Sequence, residues 1–172
     1  MNRTSFRPTL AALAAALLAS GTAFAHDGIE TKLRGYQEVP AVSSTASGKF
    51  SAKINEKAGS IDYELRYTGL EGDITQSHIH FGQRGVSGGI SIWLCGTTAL
   101  PGPAGTPSCL GPRDATVAGT LHAAGVVGPT AQGIAAGEFA ELVAAIRAGV
   151  AYANVHSSKF PGGEIRGQLK DD

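Results

Sequence analysis

The chain has 172 residues, with 14 basic and 14 acidic side chains and therefore no net charge at pH 7. This balance argues against nucleic acid or an anionic membrane surface as a partner, because both need a basic patch. The length suits one domain with its own core. No apolar run is long enough to span a bilayer, so we expect no membrane insertion.

The first 25 residues predict a secretory signal peptide. Arg3 and Arg7 form a basic start, an Ala- and Leu-rich apolar run extends from Leu10 to Leu18, and Ala23-Phe24-Ala25 has the small-x-small pattern of a cleavage site. Cleavage there would leave residues 26–172 as a single domain with a net charge near −2, because both arginines are removed. We therefore expect a periplasmic or secreted protein.

Alternating apolar and polar residues predict about eight short strands separated by turns. Residues 26–31 are expected to be a loose lead. In chain order, the strands are expected at 32–39, 49–55, 61–68, 74–81, 89–95, 115–122, 150–156 and 164–170. The second and third of these runs have the pattern of a hairpin with one buried face.

One helix is expected at about 138–148. Its apolar residues recur at helical spacing, and Gly149 follows as a stop signal; these residues are Phe139, Leu142, Val143 and Ile146. Many short strands with one late helix predict an all-β fold, either a β-sandwich or a Greek-key barrel.

Cys95 and Cys109 are predicted to form a disulfide, since the protein is expected to be exported. The segment between them is rich in Gly, Pro and Thr and has little to bury. Closing a loop of about 15 residues stabilises a fold by about 3 kcal/mol on the chain-entropy account. We expect no redox role, because the spacing differs from Cys-x-x-Cys.

Three histidines predict a metal site. His78 and His80 lie two residues apart on one strand and therefore share a face. On the strand at 150–156, Tyr152, Asn154 and His156 share the face opposite the core, which we expect to be solvated. If these strands are neighbours, the three imidazoles converge. Three imidazoles suit copper or zinc, and we place copper first. The alternative is that they are structural histidines, hydrogen-bonded to backbone and carboxylates.

Further candidates have weaker support. His26 would become the N-terminus after cleavage and could chelate copper through its amine and ring, although a flexible residue is the favoured interpretation. His122 ends a short strand and is expected to be a surface histidine. Glu164 and Arg166 are expected beside the histidines, together with the polar side chains of 150–156. Glu164 would either fix a histidine tautomer or pair with Arg166.

Several motifs resemble the CHRD domain, named for the extracellular protein chordin and also found alone in exported bacterial proteins. They are His78-Ile79-His80-Phe81-Gly82 followed by Gly85 and Gly88, the segment from Tyr152 to Leu169, and the opening Leu33-Arg34-Gly35-Tyr36-Gln37-Glu38-Val39-Pro40. Ala41 stands where the family usually has a second proline. The resemblance covers about 31–170 and implies an immunoglobulin-like β-sandwich outside the cytoplasm, without a settled activity.

Three functional hypotheses follow. The first is an exported copper-binding protein that binds, buffers or transfers the ion, with the metal and another exported protein as partners. The second is a non-metal module that binds a protein or glycan through the polar sheet face. The third is a copper redox enzyme similar to superoxide dismutase. We predict no catalytic residue and leave enzymatic activity open, leaning against it.

Overall fold

The structure is a computed structural model that describes residues 28–170. The predicted signal peptide and His26 lie outside the described residues. Within 28–170 there are eight strands and one α-helix. The strands are β1 (Gly28–Arg34), β2 (Ser47–Asn55), β3 (Ser60–Thr68), β4 (Ile74–Phe81), β5 (Gly89–Gly96), β6 (Ala115–His122), β7 (Ala151–Ser157) and β8 (Ile165–Leu169), and the helix is α1 (Phe139–Arg147).

All eight strands belong to one antiparallel sheet in the order β5-β4-β7-β8-β1-β2-β3-β6. The sheet curves until it is nearly closed, and the hydroxyl of Tyr63 on β3 donates to the carbonyl of Leu94 on β5 across the interior. The predicted hairpin is confirmed, with β2 and β3 paired over their full length. The all-β prediction is confirmed, as a barrel-like sandwich built from a single sheet.

The apolar core fills the inside of the curved sheet. It takes one face of each strand, as the alternation predicts, and includes Leu33, Phe50, Leu65, Ile79 and Val155. Helix α1 adds Leu142 and Ile146 to this core and is followed by Gly149 in a left-handed conformation. None of the helices in the described part of the chain combines the length and apolarity needed to cross a bilayer.

The first strand differs from the prediction. Residues 28–31 belong to β1 and are not a loose lead, while Gly35–Gln37 form a 3-10 turn where the strand was expected to continue. The chain turns at Gly35 because its carbonyl accepts the amides of Glu38 and Val42, at 3.0 and 2.9 Å. A Cβ there would lie 2.4 Å from the Val42 carbonyl oxygen, so the close approach needs glycine.

Strands β4, β7 and β8 are largely buried on both faces, which corrects the expectation of a solvated outer face. Every residue of β7 and β8 is buried. Loops cover the outer face: the Gly82 carbonyl accepts from Gln168 and the Gln83 carbonyl from Arg166. Alternation within a strand identifies two faces but carries no signal of the distant loops that cover one of them.

Candidate metal centre

Two neighbouring strands bring the three histidines together. β4 and β7 pair antiparallel, with His78 opposite Asn154, His80 opposite Tyr152 and His156 opposite Gln76. One ring nitrogen from each histidine lies within 4.8 Å of the other two. The exposed fractions of His78, His80 and His156 are only 0%, 7% and 6%. The cluster is therefore enclosed beneath the loops.

Backbone carbonyls orient two of the rings. His80 Nδ1 lies 3.0 Å from the Gly88 oxygen, and His156 Nδ1 lies 2.9 Å from the Pro161 oxygen. Because a carbonyl can only accept, both Nδ1 atoms are assigned the proton, and both Nε2 atoms keep a free lone pair. His80 Nε2 is buried without a partner. Metal-binding histidines commonly have this arrangement, in which the second ring nitrogen donates to a fixed acceptor.

The third ring lies against the second. His78 Nδ1 is 3.3 Å from His156 Nε2, and His78 Nε2 is buried without a partner. In the metal-free protein, the Nδ1 proton of His78 is donated to His156 Nε2, since that atom carries no proton. Two nitrogens bound to one tetrahedral ion at about 2.05 Å would lie about 3.3 Å apart. The observed separation therefore also suits a shared ion.

Burial keeps the imidazoles neutral. Loss of hydration lowers the pKa of His78 to about 2, assisted by the charges that His156 and His80 would carry. It lowers the pKa of His80 to about 4, against the opposing effect of the Gly88 carbonyl. The pKa of His156 is lowered for the same reason. Neutral imidazole is the form that can bind a metal, and all three rings hold that form at neutral pH.

The chain matches the CHRD domain family over residues 29–169. It belongs to that family. The resemblance found in the sequence motifs is thus confirmed over nearly all of the described residues. No curated protein and no solved structure matches the chain.

Aromatic and cationic groups pack around the histidines of this CHRD domain. Tyr152 stacks on His80, with ring centroids 4.8 Å apart, and the Arg166 guanidinium lies 3.3 Å from the centre of the Tyr152 ring. Trp93 meets His78 edge-on, at 4.3 Å between ring centroids. These contacts hold the rings in place and exclude water from them.

A buried carboxyl lies next to Asn154, the residue opposite His78. Glu38 accepts a hydrogen bond from the Asn154 side chain, next to the histidines in the register. Burial raises the pKa of Glu38 to about 7, although Asn154 and the positive charge of Arg166 act in the opposite direction. The carboxyl that faces Arg166 in this CHRD domain is therefore Glu38.

Glu164 has neither of its two predicted roles. Its Oε1 accepts from the Ser44 hydroxyl and the Glu71 amide, both at 2.7 Å. The carbonyls of Gly88 and Pro161 instead set the histidine tautomers. Sequence patterns favour side chains as such acceptors because the position of a loop carbonyl leaves no signature in residue type.

His122 lies apart from the cluster. It is exposed at the end of β6, a strand that does not pair with β4 or β7. The predicted surface position is confirmed, and the structure does not bring its ring to the other three. His26 falls outside the described residues.

The predicted disulfide between Cys95 and Cys109 is confirmed. Its loop reaches Trp93, because a Cβ added at Gly102 would lie 2.7 Å from Trp93 Cε3. The loop backbone therefore packs directly on the indole that contacts His78. The disulfide therefore closes the loop and also holds it against Trp93.

Sequence reasoning missed Trp93 as a neighbour of His78, and it missed the buried carboxyl of Glu38 that accepts from Asn154. Trp93 lies on β5, which pairs with β4 through two bulges. A bulge shifts alternation by one residue, so the face of β5 could not be read from spacing alone. The only signal for Glu38 was its place in the family's opening motif.

Proposed function

We propose that this CHRD domain is an exported copper-binding protein in which His78, His80 and His156 hold one ion for binding, buffering or transfer. The observation that carries the proposal is the pair of oriented rings. His80 and His156 each have Nδ1 engaged by a carbonyl and an unprotonated Nε2 within the cluster; His80 Nε2 has no partner, and His156 Nε2 accepts from His78. A purely structural histidine gains nothing from a buried, unpaired lone pair.

The energetics of the cluster support a missing ligand. Three neutral imidazoles lie in contact, and two buried Nε2 atoms, those of His78 and His80, have no hydrogen-bond partner. Burying a polar atom without a partner costs about 1–3 kcal/mol. An ion coordinated by His80 Nε2 would offset the cost at that atom, and neutral rings need not lose a proton to bind it.

Copper is favoured over zinc by affinity. A given nitrogen site binds divalent copper more tightly than zinc in the general order of transition-metal stabilities. Three protein ligands leave a further coordination position for water or another molecule. The signal-like N-terminus and the disulfide support a periplasmic or secreted location, where a protein that transfers copper would meet another exported protein.

A metal titration tests the proposal. The chain from residue 26 onward, purified without a histidine tag, is titrated with Cu²⁺ in competition with a chromogenic chelator. We expect one ion per chain, and an affinity at least about 100-fold weaker for the His78→Ala/His156→Ala variant, because two of three ligands are lost. His122→Ala is the matched control, since it removes an exposed histidine that is not part of the cluster.

The outcomes separate the hypotheses. Copper affinity in the double variant equal to that of the unmodified chain, with circular dichroism showing both folded, would refute the site. If neither copper nor zinc binds, the hypothesis that remains for this chain is a module that binds a protein or a glycan. If the copper-loaded protein consumes superoxide much faster than chelated copper does, the third hypothesis, a copper redox enzyme, would be supported.

A further inference from the structure

Three cations lie directly opposite one another across β1, β2 and β3. In the register of the sheet, Lys32 on β1 is opposite Lys49 on β2, and Lys49 is opposite Arg66 on β3. All three residues are exposed, and the apolar core takes the other face of these strands. Like charges directly opposite each other destabilise a sheet. The row is therefore a cost to folding that a bound anion would remove.

The carboxylates on the same face neutralise only part of this row. Lys49 forms an ion pair with Glu30, at 2.8 Å. Lys32 and Arg66 form no ion pair with any residue that the structure describes. Glu30 and Glu64 lie two residues farther along their strands, in the next row. Positive and negative charges are therefore separated into rows, and two of the three cations have no carboxylate partner.

The row borders a depression of about 270 Å³ on the outer face of the sheet. Among the described residues that line it there is no carboxylate, and its polar side chains are four cations and two hydroxyls: Lys32, Arg34, Lys49, Arg66, Ser47 and Thr68. Asp114 accepts hydrogen bonds from the Thr68 hydroxyl and the Gly69 amide, so this neighbouring carboxylate is already engaged. Such a lining suits an anion that also accepts hydrogen bonds.

A larger groove of about 680 Å³ adjoins the depression, since Lys32 and Lys49 line both. Among its described lining residues, the other cations are Arg84 and Lys170, the one carboxylate is Glu30, and three neutral amide or hydroxyl side chains are also present. Together the two depressions cross the neighbouring strands β8, β1, β2 and β3. At about 4.8 Å between strands, this path is roughly 14 Å long, which suits an extended ligand.

The lining indicates the class of that ligand. Lysine and arginine bind sulfate and carboxylate groups, and hydroxyl and amide side chains bind hydroxyl groups. No aromatic side chain is found among the described residues that line either depression, so a nucleic-acid base has no ring to stack on. Leu33 and Leu169 are 0% exposed, so a lipid finds no apolar surface there. A polyanion rich in hydroxyls, without bases or acyl chains, is an acidic polysaccharide.

We propose that the cationic groove, defined by Lys32, Arg34, Lys49 and Arg66, binds an acidic polysaccharide through its carboxylate or sulfate groups. The site belongs to β1, β2 and β3, whereas the histidine cluster belongs to β4 and β7. The inference therefore does not rest on the proposed metal site. In an exported protein, such a groove would hold the domain on an anionic glycan outside the cytoplasm.

Calorimetric titration with polysaccharides tests the inference. The chain from residue 26 onward, kept metal-free with EDTA, is titrated with alginate, dextran sulfate and neutral dextran at low salt. We expect binding to at least one of the two polyanions, none to neutral dextran, and weaker binding as salt is raised. Lys32→Gln/Arg66→Gln should weaken binding at least about tenfold, because two exposed charge contacts of a few-fold each are lost.

Lys53→Gln/Lys57→Gln is the matched control, because it removes the same charge from two exposed lysines outside both depressions. We expect it to change the affinity less than about threefold, since only screened attraction at a distance is lost. Lys32→Gln/Arg66→Gln should leave the melting temperature equal or higher, because it removes the like charges opposite Lys49. Weaker binding by that variant would then not be caused by unfolding.

The outcomes decide the inference independently of copper. Equal weakening in the two double variants would overturn it, because general electrostatic attraction would then explain the binding. Failure of the unmodified chain to bind alginate and dextran sulfate would also overturn it. Tighter binding of polyphosphate or single-stranded DNA than of both polysaccharides would overturn the assignment to a glycan. His78→Ala/His156→Ala, which tests the metal site, should bind the polysaccharide as the unmodified chain does.

Discussion

Replacing Glu38 by glutamine should remove a pH-dependent loss of stability. Glu38 is only 8% exposed, and its pKa is raised from 4.5 to about 7 by burial. A raised carboxyl pKa means that the folded protein holds the proton more tightly than the unfolded chain. Folding is therefore opposed increasingly as pH rises from 4.5 to about 7, and the penalty stays constant above that range.

The size of the effect follows from the shift. One pKa unit corresponds to about 1.4 kcal/mol, so the full penalty is roughly 3 kcal/mol at pH 8 and near zero at pH 4. Glutamine is uncharged and keeps the oxygen that accepts from Asn154. Glu38→Gln should thus be more stable than the unmodified chain at pH 8 by up to roughly 3 kcal/mol, and equal to it at pH 4.

Urea unfolding of the metal-free protein at pH 4, 5, 6, 7 and 8 measures this difference. Titration of the histidines contributes to both proteins and cancels. Glu30→Gln is the control, because Glu30 is an exposed carboxylate paired with Lys49 at 2.8 Å, and its loss should change stability by less than about 1 kcal/mol at any pH. A stability difference between Glu38→Gln and the unmodified chain that stays flat with pH would refute the reasoning.

Two further outcomes are expected. Copper at about 1,000 times its dissociation constant should raise the free energy of unfolding by about 4 kcal/mol, and EDTA should reverse the shift; calorimetry with and without EDTA checks this, and an unchanged transition contradicts it. Cys95→Ala/Cys109→Ala should lose about 3 kcal/mol and should shift the Trp93 emission to longer wavelength, because the loop on the indole is released. Unaltered emission would show that the loop stays packed on Trp93 without the disulfide.

Local pattern was sufficient to place the bounds of several strands, whether or not their outer face is covered. The bounds expected for β4 and β6 agree with the structure, and the hairpin of β2 and β3 has the predicted buried face. Helix α1 was recognisable because helical spacing over nine residues is hard to mistake for alternation. The beginning of β1 was missed because Thr31 interrupts the apolar positions of Ile29 and Leu33.

The histidine cluster was only partly predictable. The shared face of His78 and His80 is a consequence of the strand period, which depends on no other part of the chain. Their approach to His156 depends on β7 pairing with β4, a contact between residues about 78 positions apart along the chain. The roles of the Gly88 and Pro161 carbonyls could not be predicted, because every residue has a carbonyl and only loop geometry selects one.

By itself the sequence determined the class of fold, the family and the three candidate ligands, since these depend on short-range period and on motifs in residue order. Only the tertiary structure decided that the face carrying them is buried, that loop carbonyls orient the rings, and that Trp93 packs against His78. The physical reason is that burial and hydrogen-bond partners depend on which distant segments pack over a strand. The residues of the strand itself carry no information about those segments.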